Sequence, residues 1–129
     1  MNFLASRLVT GKMMKKMAID KKVVATVINR ANGYCEVCGG PGLVENMALH
    51  HRKLKSRGGK DTVSNLILIH HGCHNLKTDS IHLKPASAEQ KGWIVPSYRE
   101  PHEFPFVKPD GSIVLLQDDG TEAVMMEGD

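Results

Sequence analysis

Residues 66–78 read LILIHHGCHNLKT, and this stretch decides how the rest of the chain is interpreted. Its first four residues form a short apolar run with branched side chains, which predicts a buried β-strand. The pair His70-x-x-Cys73 follows at once, and residues 70–78 suit a helix. A strand that runs into a pair of metal-ligand residues at the start of a helix predicts a small, metal-stabilised α+β fold.

A second pair with the same spacing, Cys35-x-x-Cys38, precedes the first, with 31 residues between the two pairs. Two such pairs can converge on one ion at metal–ligand distances of about 2.0–2.3 Å, which is the arrangement of a tetrahedral structural zinc site. Three cysteines and one histidine complete the set and leave no position for water. A redox Cys-x-x-Cys and a group of unrelated buried thiols are the alternatives, and His71 could replace its neighbour His70.

Other segments predict the remaining elements. Asp20 to Asn32 combines an apolar stripe at helical spacing with a capping residue at each end, which predicts a helix. Met47 to His51 predicts the first strand, and Ser87 is expected to cap a single helical turn. Residues 104–107 and 112–117 flank the turn signal Pro-Asp-Gly and predict a β-hairpin, after which the last residues are expected to fray.

Charge is divided unevenly along the 129 residues. Residues 1–84 carry 14 basic and 5 acidic side chains, whereas residues 85–129 carry 3 basic and 9 acidic ones, which together give a net charge of +3. We therefore expect a flexible basic segment over residues 1–18, a folded core over residues 19–84 and an acidic extension over residues 85–129.

The basic part contains a dense loop. Five basic side chains fall within nine positions, with no carboxylate between Glu45 and Asp61: Arg52, Lys53, Lys55, Arg57 and Lys60. Such a loop is the footprint expected of a polyanion partner, and these five residues are the candidate phosphate contacts. A solvated loop without a partner is the alternative.

Composition excludes some classes of protein. The longest apolar run, residues 23–28, is far shorter than the roughly eighteen residues that span a bilayer, so a membrane protein is excluded. Three cysteines, an odd number, argue against the disulfide framework of a secreted domain. The first residues carry no recognisable export signal, so we expect an intracellular, cytoplasmic protein, in the host cytoplasm if a phage encodes it.

The histidines outside the two zinc pairs give the chain a resemblance to a known family. His50 and His51 end the first strand, Asn65 stands before the second, and His74 lies in the predicted helix. Together with the zinc pairs, the motifs LHHR, SRGGKD, NLILIH and CHNLKT resemble those of the HNH (His-Asn-His) endonucleases over roughly residues 20–80. Residues 92–101 look like the continuation found in small phage-encoded members.

The resemblance implies a ββα-metal fold, two short strands and a helix around one catalytic divalent cation (Mg²⁺, Mn²⁺, Ni²⁺ or Zn²⁺). It implies that His51 is the general base that takes a proton from the attacking water, and that His50 and His74 bind the cation. Asn65 would hold the loop and orient His51 through a hydrogen bond. Phosphodiester hydrolysis needs such a base near neutral pH and a cation beside the phosphate.

We therefore predict a metal-dependent DNA endonuclease with a ββα-metal core, an N-terminal helix, zinc-stapled turns and a C-terminal hairpin. Because adjacent strand residues point to opposite faces, a twist or bulge is expected to bring His50 and His51 around one phosphate. His71 and His82 are left unassigned, and either could be an accessory metal ligand or a phosphate contact. Residues from about Phe104 onward are expected to be dispensable for cleavage. The alternatives are a non-catalytic zinc-dependent DNA-binding module and a phage packaging component whose acidic extension contacts other proteins.

Overall fold

A computed structural model describes residues 19–76 and 81–128 of the chain, and the predicted basic segment 1–18 lies outside this part. The helices and strands follow in the order α1 (Lys21–Ala31), β1 (Met47–His51), β2 (Leu66–His70), α2 (Pro85–Gln90), β3 (Phe106–Val107), β4 (Ile113–Leu116) and β5 (Glu122–Met126). The predicted mixed helix and strand fold is confirmed. Among the described residues, no helix is long and apolar enough to cross a membrane.

Helix α1 begins and ends as its sequence predicts. The Asp20 side chain accepts a hydrogen bond from the Lys22 amide at 2.7 Å, which satisfies a free N–H group of the first turn. At the other end Asn32 adopts a left-handed conformation with φ 54° and donates its amide to the Ile28 carbonyl. The apolar stripe of the helix is buried and packs against β2 and its neighbours.

Strands β1 and β2 form an antiparallel pair whose register runs from Met47↔His70 to His51↔Leu66 without a shift. Both strands lie where the sequence predicts them, and β2 extends one residue further, to His70. The bulge, one of the two expected ways of bringing His50 and His51 together, is therefore absent from the end of β1. The side chains of His50 and His51 have separate partners, as described below.

The segment after β2 differs from the regular helix predicted for residues 70–78. Its described part contains a π-helical turn over Gly72–Leu76, and residues 77–80 lie outside the described part. Helix α2 begins at Pro85 with Lys84 as its N-cap, so the expected cap Ser87 lies inside the helix instead. Proline suits the first helical position because it has no amide hydrogen to leave unsatisfied there.

The extension forms a three-stranded antiparallel sheet in the order β3-β4-β5. The predicted hairpin is confirmed by the pairing of Phe106 with Val114. The expectation that the last residues fray is wrong, because Glu122–Met126 forms a third strand. The turn before this strand is fixed by Asp119, whose side chain accepts hydrogen bonds from the Thr121 amide and hydroxyl at 2.9 and 2.6 Å.

Side chains from the core and the extension share one hydrophobic cluster. Phe106, Val114 and Leu116 are buried in the same cluster as Ile28 of α1 and Leu68 of β2. The strand β4 does not pair with the β1–β2 hairpin, so the two sheets meet through side chains. This packing argues against the expectation that residues from Phe104 onward are dispensable, because their removal would expose the cluster. The boundaries at residues 18 and 84 stay predictions.

Arg52 connects the end of β1 to the extension. Its side chain is fully buried and donates to four backbone carbonyls: Gly92 at 2.7 Å, Ser64 at 2.8 Å, Pro101 at 3.0 Å and Phe104 at 2.8 Å. Burial, followed by the nearby positive charge of Arg30, lowers the pKa of Arg52 to about 9. The guanidinium therefore stays charged at neutral pH, and its fork of donors fixes the extension next to His51 and His50.

Candidate active site and metal centres

The four predicted zinc ligands meet where the turn after α1 approaches the end of β2. Cys35, Cys38, His70 and Cys73, here called the thiolate cluster, offer ligand atoms that all lie within 4.8 Å of one another. His70 Nδ1 is 3.3 Å from Cys38 Sγ and 4.0 Å from Cys73 Sγ. Neighbouring ligands around a tetrahedral zinc ion lie about 3.5–3.8 Å apart, so the cluster fits a structural zinc site.

Hydrogen bonds around the thiolate cluster hold its ligands in the orientation that zinc requires. His70 Nε2 lies 3.0 Å from the Pro41 carbonyl, which only accepts, so Nε2 donates and the Nδ1 lone pair faces the sulfurs. The His70 amide donates to Cys35 Sγ at 3.4 Å, and the Gly40 amide donates to Cys38 Sγ at 3.4 Å. Such bonds stabilise thiolates, and His70 belongs to the cluster rather than its neighbour His71.

The electrostatics of the three thiols also favour a bound cation. Burial alone would raise the pKa of Cys38, but hydrogen bonds from the Gly40 amide and the neighbouring ligands lower it to about 7. Burial and the charge of the neighbouring Cys35 raise the pKa of Cys73 to about 12. Three sulfurs this close cannot all ionise at neutral pH without a positive charge between them. The donor set therefore suits a cation that binds thiolates, as zinc does.

A second group of metal-ligand residues, the histidine cluster, consists of His50, His74 and His82. The Nε2 atoms of His74 and His82 are 2.9 Å apart, and the His50 ring centroid lies 5.1 Å from that of His74. The backbone brings His82 here, because the amides of Ile81 and His82 donate to the carbonyls of Cys73 and His74 at 2.9 and 3.1 Å. The sequence interpretation included only two of these three histidines.

His50 is held in the histidine cluster by the extension. Its Nε2 lies 2.9 Å from the Trp93 carbonyl, so Nε2 donates and the Nδ1 lone pair stays available to a metal ion. Burial is the main reason that the pKa of His50 falls to about 3, and burial with the neighbouring His82 and His71 lowers the pKa of His74 to about 4. Both rings are therefore neutral at neutral pH, which is the form that binds metals.

The histidine cluster fits a transition-metal ion better than a hard cation. Two donor atoms that each lie about 2.1 Å from an ion, at right angles to each other, are about 3 Å apart. The Nε2 atoms of His74 and His82 are 2.9 Å apart, which is close to this value. Imidazole nitrogen suits Zn²⁺, Ni²⁺ and similar ions, whereas Mg²⁺ prefers oxygen ligands. Three donors also leave coordination positions for a substrate, in contrast to the four donors of the thiolate cluster.

His51 lies beside the histidine cluster in sequence but has its own partner. Its Nε2 is 2.7 Å from an Asp61 carboxylate oxygen, and the His51 side chain is 13 % exposed. Asp61 follows the basic loop, ten residues after His51 in sequence. The sequence interpretation gave Asp61 no role, although the motif SRGGKD that contains it was part of the resemblance. A carboxylate within hydrogen-bond distance of an imidazole fixes the orientation of the ring.

Asn65 closes the loop between β1 and β2 but does not make the expected bond to His51. Its Oδ1 accepts from the Lys53 amide at 2.7 Å, and its Nδ2 donates to the carbonyls of Lys53 and Lys60 at 3.1 and 2.9 Å. Both hydrogens of the Asn65 side-chain amide are therefore donated to carbonyls of the loop. The expectation that Asn65 orients His51 directly is wrong, and Asp61 occupies that position instead.

The five candidate phosphate contacts fall into two groups. Arg52 is a wrong prediction, because its guanidinium is buried and bonded to carbonyls, and Lys53 is only 10 % exposed with its Nζ 3.3 Å from a Glu100 carboxylate oxygen. These two side chains are not free to bind DNA phosphates. The remaining three are exposed on the loop: Lys55, Arg57 and Lys60.

Comparison with protein families found a similarity on this part of the chain. Residues 35–80 match the family model described as HNH endonuclease. The match spans the thiolate cluster, both strands of the hairpin, Asp61, Asn65 and two residues of the histidine cluster, and it ends before His82. The comparisons with curated proteins and with solved structures gave no match.

Proposed function

From the match of residues 35–80 to the HNH endonuclease family model, we propose that the protein is a metal-dependent DNA endonuclease that hydrolyses phosphodiester bonds. The observation that carries the proposal is the pair of consecutive β1 residues His50 and His51. The first belongs to a cluster of three imidazoles, and the second is held by a carboxylate. A cation site and an oriented base, here carried by consecutive residues of β1, are what hydrolysis of a phosphodiester requires.

The histidine cluster would hold the catalytic cation. When bound, a divalent cation polarises the scissile phosphate and offsets charge on the leaving oxygen. His50 and His74, predicted from the sequence, would share this task with His82. Among the expected cations the nitrogen donors favour Ni²⁺ or Zn²⁺ over Mn²⁺ and Mg²⁺.

His51 would act as the general base on the attacking water, and an imidazole is the side chain best suited to that task near neutral pH. Asn65 would serve the site by holding the loop that follows β1, through its three bonds to Lys53 and Lys60. The exposed side chains of that loop, Lys55, Arg57 and Lys60, would bind DNA phosphates and give affinity without reading sequence.

Zinc in the thiolate cluster would have a structural role. Its ligands come from the turn after α1 and from the end of β2, so one ion would join the helix to the hairpin that carries His50 and His51. We keep the cytoplasm as the proposed location, because an odd number of cysteines argues against the disulfide framework of a secreted domain.

The test is a plasmid-nicking assay. Supercoiled DNA is incubated with the protein and Mn²⁺, Ni²⁺, Zn²⁺ or Mg²⁺, or with EDTA, and we expect nicking that EDTA abolishes. His51→Ala should lower the rate at least about 100-fold, the usual contribution of a positioned base. His102→Ala, which removes a partly exposed histidine of the extension, is the matched control and should keep full activity. DNA binding without cleavage in any cation would select the non-catalytic module.

A further inference from the structure

The carboxylate of Asp61 determines which nitrogen of His51 carries the hydrogen. Asp61 Oδ1 lies 2.7 Å from His51 Nε2, and the side chains are 31 % and 13 % exposed. An ionised carboxylate only accepts hydrogen bonds, so the Nε2 atom must carry the hydrogen. The neutral ring then has its lone pair on Nδ1, the nitrogen on the other side of the ring.

Asp61 is itself fixed by the loop that precedes it. The Lys60 carbonyl, next to Asp61, accepts a hydrogen bond from Asn65 Nδ2 at 2.9 Å. The loop also passes so close to the chain just after β1 that a Cβ on Gly59 would lie 1.7 Å from the Lys53 carbonyl oxygen, so only glycine fits there. A rigid loop places the carboxylate in one position against the imidazole.

Asp61 contacts the base rather than the cation site. Among the described residues, the metal-ligand atoms that gather around His50 are those of His74 and His82, and Asp61 is not in this group. A second contact of Asp61, with Lys55 Nζ at 3.6 Å, involves a lysine that is 62 % exposed and contributes little. The hydrogen bond to His51 is the main interaction of this carboxylate.

We propose that Asp61 is a positioning residue that holds His51 as the Nε2–H tautomer and so makes Nδ1 the atom that accepts the proton of the attacking water. This rests on the proposed endonuclease function. In the step, water gives its proton to Nδ1 and its oxygen forms the new bond to phosphorus. The bond from phosphorus to the leaving sugar oxygen breaks, and its electron pair stays on that oxygen. The Asp61 carboxylate then faces the imidazolium across the Nε2–H bond.

The tautomer is measured directly by ¹⁵N NMR of the imidazole nitrogens in the full chain as purified, with His51→Ala used to assign the signals. We expect a protonated Nε2 and an unprotonated Nδ1 in the natural sequence, and loss of this preference in Asp61→Ala. A protonated Nδ1 in the natural sequence overturns the proposal. This measurement needs no cleavage, so a protein with the expected tautomer and no nuclease activity overturns the proposed function alone.

Kinetics supply the second test. Asp61→Asn keeps the size of the side chain and should lower kcat at least about 100-fold, with KM within about threefold, because the amide can donate to Nε2 and select the wrong tautomer. Asp61→Glu, which restores the charge, should recover part of kcat. Asp119→Asn, which changes an exposed turn aspartate of the extension, should leave both constants unchanged. An unchanged kcat in Asp61→Asn overturns the proposal.

Calorimetric titration with Ni²⁺ separates the positioning role from metal binding. Asp61→Asn should bind the ion with the affinity of the natural sequence. A loss of affinity equal to that of His74→Ala would make Asp61 a metal ligand and overturn the proposal. Circular dichroism and zinc content check that the variant is folded before either result is used.

Discussion

The thiolate cluster and the histidine cluster adjoin in the sequence, because Cys73 belongs to the first and His74 to the second. Their donor atoms nevertheless suit different tasks. The first combines three sulfurs with one imidazole, and hydrogen bonds surround its ligands on the protein side. The second has three imidazoles, one of them exposed, and leaves coordination positions open. The comparison shows that the type and number of donors, rather than their place in the chain, decide whether a site can serve stability or chemistry.

The largest expected effect separates the two clusters by their contribution to folding. His70→Ala removes a ligand of the thiolate cluster and should abolish cooperative thermal unfolding, together with the bound zinc. Structural zinc contributes about 10–16 kcal/mol in small domains, which exceeds the stability of about 5–15 kcal/mol typical of a whole domain. His71→Ala is the matched control one residue away and should keep zinc and melting temperature. A folded, zinc-loaded His70→Ala protein would mean that the site is misassigned.

The same contrast explains how much of each cluster the sequence could predict. The thiolate cluster can be predicted from two short spacings, because the side chains of residues three apart in a tight turn converge on one point. The histidine cluster includes His82, which lies eight residues beyond His74. Backbone hydrogen bonds bring it to His74, and these cannot be predicted from the spacing of the histidines. Only the high density of histidines between His50 and His82 pointed in this direction.

The strands and the basic loop also show that features set by nearby residues can be predicted from the sequence, whereas features set by distant residues cannot. Strands β1 to β4 were predicted because apolar runs and turn signals are local features of the sequence, and the helix α1 because its caps are local. Arg52 was wrongly predicted to contact phosphate, because a high density of basic residues in the sequence does not show which of them are buried. Its four carbonyl partners come from distant segments. Asp61 was missed for the same reason, since its bond to His51 depends on how the loop closes.

Arg52 provides a way to disturb the histidine cluster while sparing the thiolate cluster. Its Nε holds the Gly92 carbonyl at 2.7 Å, and the next carbonyl, of Trp93, holds His50. Arg52→Met keeps apolar volume but leaves four carbonyls without their donor, which should lower the free energy of unfolding by at least about 3 kcal/mol. We expect zinc to stay bound while Ni²⁺ affinity at the histidine cluster falls.

Denaturant unfolding and metal titration measure both effects. Arg57→Met is the control, because this exposed arginine lies in the same loop and its substitution should change stability by no more than about 0.5 kcal/mol. Equal stability of the two variants would contradict the structural role of Arg52.

A smaller effect is expected from His82, one of the two histidines that the sequence interpretation left unassigned. His82→Ala removes one of three donors and should weaken Ni²⁺ binding at least about tenfold, since even substitutions around metal ligands cost about 10–100-fold. Melting temperature and zinc content should not change, because His82 is exposed and outside the thiolate cluster. Unchanged Ni²⁺ binding would reduce the cluster to His50 and His74 and bring the site back to the pair predicted from the sequence.

The smallest effects concern the basic loop, in which some lysines stabilise the fold and others are free to bind DNA. Lys55 is exposed, whereas Lys53 is 10 % exposed and its Nζ faces Glu100 at 3.3 Å. Each phosphate contact releases about one counterion, so Lys55→Ala, Arg57→Ala and Lys60→Ala should each reduce the slope of log affinity against log salt by roughly one unit. Lys53→Ala is the matched control in the same loop and should leave the slope unchanged, even where it costs some stability. DNA binding is measured by fluorescence anisotropy over a series of salt concentrations. A slope that falls only in Lys53→Ala would mean that DNA approaches from the side of the extension, and that the three exposed residues face solvent alone.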